Sequence, residues 1–488
     1  MNFYSFALRV SRSNIRSTKT STYRHLANMA TAHRIHITPD NTGLWNIQQD
    51  EASAKKTTEL LQEDLDKHHV YFNDMGFHNH ISHQILALYG TGASPEHLKR
   101  GYDVNKTYQR PSTKARESIV KELGDWENVK KRLGKGEYYN DFLEYFQQEI
   151  DRLGWEKALL EYMFKGDERS EDMQIRMTSG VIHPIIQLMY GVEWKQPAIV
   201  AMALAQASVH KNELKKFLVT TEEAAKSNTK PMPSIESLLR EVKANTKLST
   251  AVHGVGEFVK MEKGVFAKAW DDIVELASKV KVKPEELDER TAEMYHTAIY
   301  EGASAAFHPG KEPKFDFFLM HHINVNPIYV ALNKQDWIPI ESKVRLIEWK
   351  IRLDLLQYAV QACPPLELDN IAAYVPQAGK LTPANEQLSR IHNLNEDGHG
   401  IKLFRAFGVG QTLCEKYEDK PWARIKGDLW TKIGHLIVDS IQREPRWVRG
   451  AGEDEAWEVI PDLVEDAHKT NGVNGKNGIS EKLDQVHI

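Results

Sequence analysis

Residues 74–103, DMGFHNHISHQILALYGTGASPEHLKRGYD, place three histidines within six positions and then continue as an apolar helix. His80 and His83 stand three apart, so a helix presents them on one face. Four further segments carry imidazoles into apolar surroundings. MTSGVIHPIIQLMYGVEW sets His183 directly before Pro184, with Ser179 and Gly180 one turn earlier, and KFDFFLMHHINVNPIYVAL sets His321 and His322 after an aromatic run. NEDGHGIKLFRAF places His399 between glycines ahead of Lys402 and Arg405, and TAEMYHTAIYEGASAAFH spaces His296 and Tyr300 one turn apart. A lone histidine on an apolar face is ordinarily a core residue bonded to a carbonyl. Several together are harder to explain by folding, because each buried polar group left without a partner costs about 1–3 kcal/mol. A shared pocket explains the set.

Metal ligation competes with proton transfer as the use of such a pocket. His80 and His83, with His183 or His321, would offer imidazoles to iron or zinc, and Asp74 or Asp316 a carboxylate. Helical di-iron sites use Glu-x-x-His pairs, whereas Phe77, His80 and Gly180 stand three residues before His80, His83 and His183. On that pattern the expectation is a metal-free site. His68, His69 and His392 read as surface or helix-end residues.

The elements that must position these groups are helices. Ser94 and Pro95 are an N-cap and a first-turn proline. Pro284 opens a long helix that contains Gly302, and Val344, Ile347, Ile351, Leu355 and Tyr358 trace one apolar stripe at steps of three and four. Prolines break the pattern at 227–234, 308–314 and 362–369, strand-like alternation is almost absent, and no fixed-period repeat is visible. The reading is an all-α fold, an irregular multi-helix single body over residues 36–465.

Composition agrees with a globular chain: 41% apolar and 27% charged residues, net charge −5 without long single-sign blocks. No concentrated basic stripe points to nucleic acid, and the apolar stretch from Pro197 is too short to span a bilayer. Two cysteines, Cys363 and Cys414, suit a reduced intracellular compartment. Residues 1–35 are basic and rich in Ser and Thr at their start. They read either as a mitochondrial transit peptide, or as an extension preceding a natural start at Met29, the protein then being cytoplasmic. Residues 466–488 read as a disordered tail.

Gly254 and Gly256, and Gly408 and Gly410, give G-x-G without the third glycine or a preceding strand, so neither is a dinucleotide fingerprint. No P-loop, H-E-x-x-H, G-x-S-x-G or C-x-x-C occurs. A self-contained flavin enzyme is not expected.

The segments GFHNHISHQILALYGTGASPEHLKRGYD, GVIHPIIQLMYGVE, KFDFFLMHHI, RLIEWKIRLDLLQY and NEDGHGIKLFRA, in this order and spacing, resemble the motifs of the questin oxidase-like family. The resemblance covers residues 45–455, departing at Gln84, where a second histidine is expected in many relatives, and around Asn393–Asp397. It implies a mostly helical fold and Baeyer–Villiger-type oxidative cleavage of an anthraquinone in polyketide secondary metabolism. It also implies dioxygen as oxidant and NADPH as overall reductant, without a flavin site in the chain. Free phenol titrates near ~10 and histidine near ~6.5, so one imidazole is a poor base for a phenolic substrate unless a second group stabilises the phenolate. The expected catalytic set is therefore His80 or His83 as base, His183 and His321 orienting ring oxygens, and His399 positioning or protonating a peroxide. Asn79, Tyr300, His322, Lys402 and Arg405 are expected to bind substrate. A partner reductase is expected to deliver the NADPH electrons by reducing the substrate.

Overall fold

The structure is a computed structural model that describes residues 29–463. Among these residues there are no β-strands, only isolated bridges such as Tyr71 with His78 and Asp316 with Val448. The all-α reading is borne out. One apolar core runs from Ala32 to Ile441, and a smaller cluster forms around Trp457.

The expected transit or extension residues 1–28, and the expected disordered tail 466–488, lie outside the described residues. The boundary at residue 35 is too late, however. Ala32 and Ile35 are core residues, and the Ile35 amide donates to Gln62 Oε1 at 2.8 Å. An Ala-x-x-Ile step is too short for a sequence pattern to expose, yet it is enough to fasten a loop to a helix.

Local sequence accounts for the helices that carry the site. Ser94 caps Pro95–Lys106 as expected, accepting from the His97 amide. Asp316 caps Phe317–Asn324, accepting from the Phe318 and Leu319 amides at 2.8 and 2.9 Å. The helix His399–Cys414 starts after Gly398, whose φ of +101° a side chain would strain. Glu396 closes that end, accepting from the Gly398 and Gly400 amides, both at 2.9 Å. The helix dipole there favours a carboxylate, against burial and the Asp397 charge, which raise Glu396 to about 7.

Gly408 and Gly410, which read as a broken nucleotide motif, are packing positions. A Cβ at Gly408 would overlap the Trp45 ring, and one at Gly410 would lie 2.6 Å from both Tyr295 and Ile299 of the helix Leu287–Ser304. His69 and His392, read as surface or helix-end residues, follow or end helices but are buried, and Thr91 Oγ1 lies 2.9 Å from His392 Nε2. Gly410→Ala is expected to destabilise the fold by about 1–3 kcal/mol through overpacking, seen as a lowered thermal midpoint, with Gly256→Ala, where the nearest atom is 4.0 Å away, as the milder comparison.

Candidate active site

Three helix starts and one helix interior converge on a cluster of imidazoles. His80 is the N-cap of Ile81–Tyr89, and His399 is the first residue of its helix. His183 follows three residues held in left-handed conformation, Gly180, Val181 and Ile182, with φ of 56°, 51° and 55°. His321 sits in the Asp316-capped helix. Left-handed β-branched residues are outliers, and strain of this kind persists only where surrounding structure imposes it. Here it aims the Gly180 carbonyl at His183.

The hydrogen bonds decide which nitrogen of each ring carries the proton. His183 Nδ1 lies 2.8 Å from the Gly180 carbonyl and His321 Nδ1 lies 2.6 Å from the Phe317 carbonyl. A carbonyl only accepts, so both Nδ1 atoms are N–H donors. His399 Nδ1 is 2.8 Å from both carboxylate oxygens of Asp397 and donates there too. Burial first, then neighbouring positive charge (Lys402 for His183, His399 and Lys402 for His321), holds those two rings well below the usual 6.5. For His399, burial outweighs the opposing pull of Asp397, and the shift is again downward. Neutral rings with protonated Nδ1 present bare lone pairs at Nε2.

Those lone pairs point at one another. His399 Nε2 lies 3.2 Å from His321 Nε2, with no proton available between them in the neutral state. His80, whose Nδ1 has no hydrogen-bond partner among the described residues, brings its Nε2 to 3.0 Å from His183 Nε2, close enough to donate to it when no cation is bound. Among the described residues, His80, His183 and His399 each bring a ring nitrogen within 4.8 Å of the others. Two imidazole nitrogens bound at about 2.0–2.1 Å to one cation, at ordinary angles, sit roughly 2.9–3.4 Å apart. Both observed separations fit. The outer partners fit as well, since ligating histidines typically donate their second N–H to a carbonyl or carboxylate. The residues present therefore suit a metal held by His80, His183 and His399, with His321 beside His399. Asp74 and Asp316, the carboxylates weighed from sequence, are elsewhere: Asp74 pairs with Arg110 at the surface and Asp316 caps its helix. Asp397 takes the carboxylate's place. Its oxygen lies 3.9 Å from His80 Nδ1, and 48% of its side chain is accessible although the histidines around it are closed off.

Lys402, one turn into the 399–414 helix, is buried and its Nζ bonds to nothing in the protein. Burial lowers it to about 8 against the pull of Asp397 and Glu396, so a minor neutral fraction is present near physiological pH. His83 is fully buried with neither nitrogen bonded, stacked on Tyr190 at 5.5 Å and 5.9 Å from the His80 ring. It stands behind the cluster. Two histidines that sequence reasoning passed over complete a second layer: His78 stacks on His183 with ring centres 3.9 Å apart, and its Nε2 lies 2.8 Å from His210 Nε2. His78 was visible in the opening motif, whereas nothing around His210 marks it.

Residues 77–407 match the family described as questin oxidase-like. The chain belongs to the questin oxidase-like family. It is 36% identical to a Baeyer–Villiger monooxygenase of Cryptosporiopsis sp. over 449 residues, 89% of this chain and 99% of the relative. It is 35% identical to a Baeyer–Villiger oxidase of Emericella nidulans over 82% of this chain and 92% of the relative, and 30% identical to a questin oxidase of Aspergillus terreus over 89% and 99%. An oxidative activity follows for this questin oxidase-like chain. No helix of the described residues is long and apolar enough to cross a membrane.

Four of the residues expected to bind substrate are engaged elsewhere. Asn79 donates to Asp64 at 2.7 Å and accepts from the Ile81 amide, so it fixes the turn that carries His80. The Tyr300 hydroxyl donates to the Leu366 carbonyl at 2.6 Å. Arg405 pairs with buried Glu193 and stacks on Trp194 at 4.6 Å. His322 turns away from His321 to Asp354 at 2.6 Å, which also binds Lys350. His296 accepts from the Ile425 amide at 3.0 Å between Trp422 and Trp430. Gln84, where the motif departs from many relatives, donates to the Glu396 carbonyl at 2.8 Å and packs on Gly398, holding the loop that presents Asp397. A surface cleft of about 640 Å³ lined by Asp66, Lys114 and Glu144 contains none of these groups.

Beside Asp354, Glu301 Oε1 is buried without a partner, and burial, then the Asp354 charge, raises its carboxyl well above 4.5. A carboxyl raised in the fold binds more protons folded than unfolded, so its contribution to stability falls as pH rises above about 4.5. Glu301→Gln is expected to raise the thermal midpoint at pH 7 more than at pH 4.5, checked by melts across that range. Gly180→Ala would put a methyl into the His210 ring at a left-handed φ, and is expected to lower the midpoint by the equivalent of about 2–4 kcal/mol.

Proposed function

We propose that this protein is a metal-dependent oxygenase that cleaves a ring of a phenolic anthraquinone, or of its reduced form, by a Baeyer–Villiger-type reaction in polyketide secondary metabolism. The observation that carries the metal is the set of ring nitrogens of His80, His183 and His399, which lie within 4.8 Å of one another. The proposal departs from the metal-free expectation, which weighed a di-iron pattern and a set of two histidines and one carboxylate. The reaction class is supported by relatives named for Baeyer–Villiger oxidation and for questin.

The metal-free alternative in which His80 or His83 is the base loses ground on proton affinity. Burial moves both imidazoles further below a phenol, widening a gap already unfavourable by about 5 kcal/mol. Lys402, at about 8, is the better matched acceptor, and its lone pair is available at the edge of the cluster. In this reading Lys402 takes the phenolic proton. Asp397 keeps His399 oriented, and the partly accessible Asp397 edge is the side from which substrate approaches. A first-row metal such as iron(II), when bound, supplies a site for dioxygen and a route for single electrons.

The electron count works with a hydroquinone substrate. It gives two electrons and two protons to dioxygen, yielding quinone and peroxide. The peroxide adds to the ring carbonyl, carbon migrates to oxygen as the O–O bond breaks, and water leaves a lactone that hydrolysis opens. NADPH then enters through a separate reductase that makes the hydroquinone, consistent with the missing dinucleotide fingerprint.

Purified protein is expected to carry close to one equivalent of iron by elemental analysis. A strong chelator should abolish oxygen uptake with chemically reduced dihydroxyanthraquinone, and iron(II) should restore it. His183→Ala and His399→Ala are expected to lose the metal and at least about 10²-fold in rate. Full activity in metal-free protein would overturn the reading. Lys402→Met is expected to retain metal while lowering kcat by about 10²-fold, the scale of general base catalysis.

A further inference from the structure

One cation near the cluster is held rigidly at its backbone and loosely at its charge. Arg449 follows Val448, whose amide donates to the Phe315 carbonyl at 3.1 Å and whose carbonyl accepts from the Phe317 amide at 2.8 Å. On its other side the Gly450 and Ala451 amides donate to Asp316 at 2.8 and 3.0 Å. The segment 448–451 is thereby clamped to the start of the helix that carries His321. The Arg449 guanidinium lies 4.2 Å over the Phe317 ring and 5.2 Å from that of Phe318. Phe317 in turn packs 4.8 Å from the His321 ring and 5.2 Å from that of His399, and Trp447 lies 6.3 Å from His399. Arg449 is therefore one aromatic ring removed from the cluster.

Its charge is answered by Glu257 alone among the described ion pairs, at 2.8 Å from Nε and 2.5 Å from Nη2. Both side chains are about one-third accessible, and exchanging such a pair for another anion costs little. Glu257 stands on a short turn after Gly254, at φ +71° in open space, and Gly256. The next residue, Phe258, is 77% exposed. The cation is thus fixed and its partner sits on the adjustable side.

We propose that Arg449 is a specificity residue that recognises an anionic oxygen, phenolate or carboxylate, on the aromatic substrate, and that Glu257 occupies its place until substrate arrives. A stacked guanidinium is preorganised to take an oxyanion on its two-nitrogen edge, which Glu257 already demonstrates. The inference rests on the aromatic-substrate reading above and adds to it the charge that the substrate must carry and the residue that reads it.

The test uses metal-loaded full-length protein and two probes, 1,8-dihydroxyanthraquinone and its 3-carboxylate, titrated by absorbance. The parent is expected to prefer the carboxylate. Arg449→Gln should weaken the carboxylate by about tenfold or more and the uncharged probe less than about twofold, Arg449→Lys should keep part of the preference, and Glu257→Gln should tighten the carboxylate alone. In turnover of the reduced carboxylate, Arg449→Gln should raise KM with kcat nearly unchanged. Equal weakening of both probes, or no change in either, overturns the assignment, as does an unchanged preference in Glu257→Gln. Failure of both probes to bind the parent overturns this inference and the aromatic-substrate reading together, and failure of the carboxylate alone overturns this inference. Binding with the expected pattern but no oxygen uptake overturns the oxygenase reading alone.

Discussion

A neutral imidazole has one N–H and one lone pair, and whatever takes the N–H decides where the lone pair points. In this protein two main-chain carbonyls and one carboxylate make that decision for His183, His321 and His399. Helix starts reinforce it. His80 and His399 sit at the positive ends of their helices and His183 follows a turn into its own, positions that disfavour a protonated ring. The same geometry that keeps the imidazoles neutral therefore leaves their second nitrogens free to bind a cation.

The surrounding fold is organised to hold those three directions. Asp316 serves twice, capping the helix of His321 and tying down residues 450 and 451. Glu396 caps the helix of His399, and Gln84 anchors the Glu396 carbonyl. Asn79 fixes the entry to His80. Each is a short polar contact inside an apolar body, where an unsatisfied group would be expensive, so these contacts are strongly favoured once the core closes. Among the described residues, Lys402 is one of several buried groups that stay unpaired, as Glu301 Oε1 is elsewhere.

The helical architecture and the converging histidines were legible because both are written in local pattern. Imidazoles amid Ile, Leu and Met report burial, and proline with Ser or Asp reports helix starts. Four of the five histidines expected in the site do meet nitrogen to nitrogen, with His83 behind them. What stayed hidden depends on orientation across long separations. Nothing local tells that Arg405 faces Glu193, 212 positions away, while Lys402 one turn earlier faces the cluster. Tyr300 and His322 were misplaced for the same reason: each shares a helix with plausible site residues and points to a different face. The proposed metal set, drawn from residues 80, 183 and 399, has no spacing that a sequence pattern would show. His210 reaches His78 across 132 positions and leaves no signal at all.

The left-handed turn at Gly180, Val181 and Ile182 separates two kinds of freedom. Its contribution to the cluster is a peptide oxygen, so the site is specified there by chain path and not by side-chain identity. Gly180 has no room to vary, whereas Val181 projects outward with 39% of its surface exposed. Asn or Gly at Val181 would relieve the backbone without touching any group in the centre. That position is an adjustment screw on the aim of His183, one that turns while every side chain of the cluster keeps its identity.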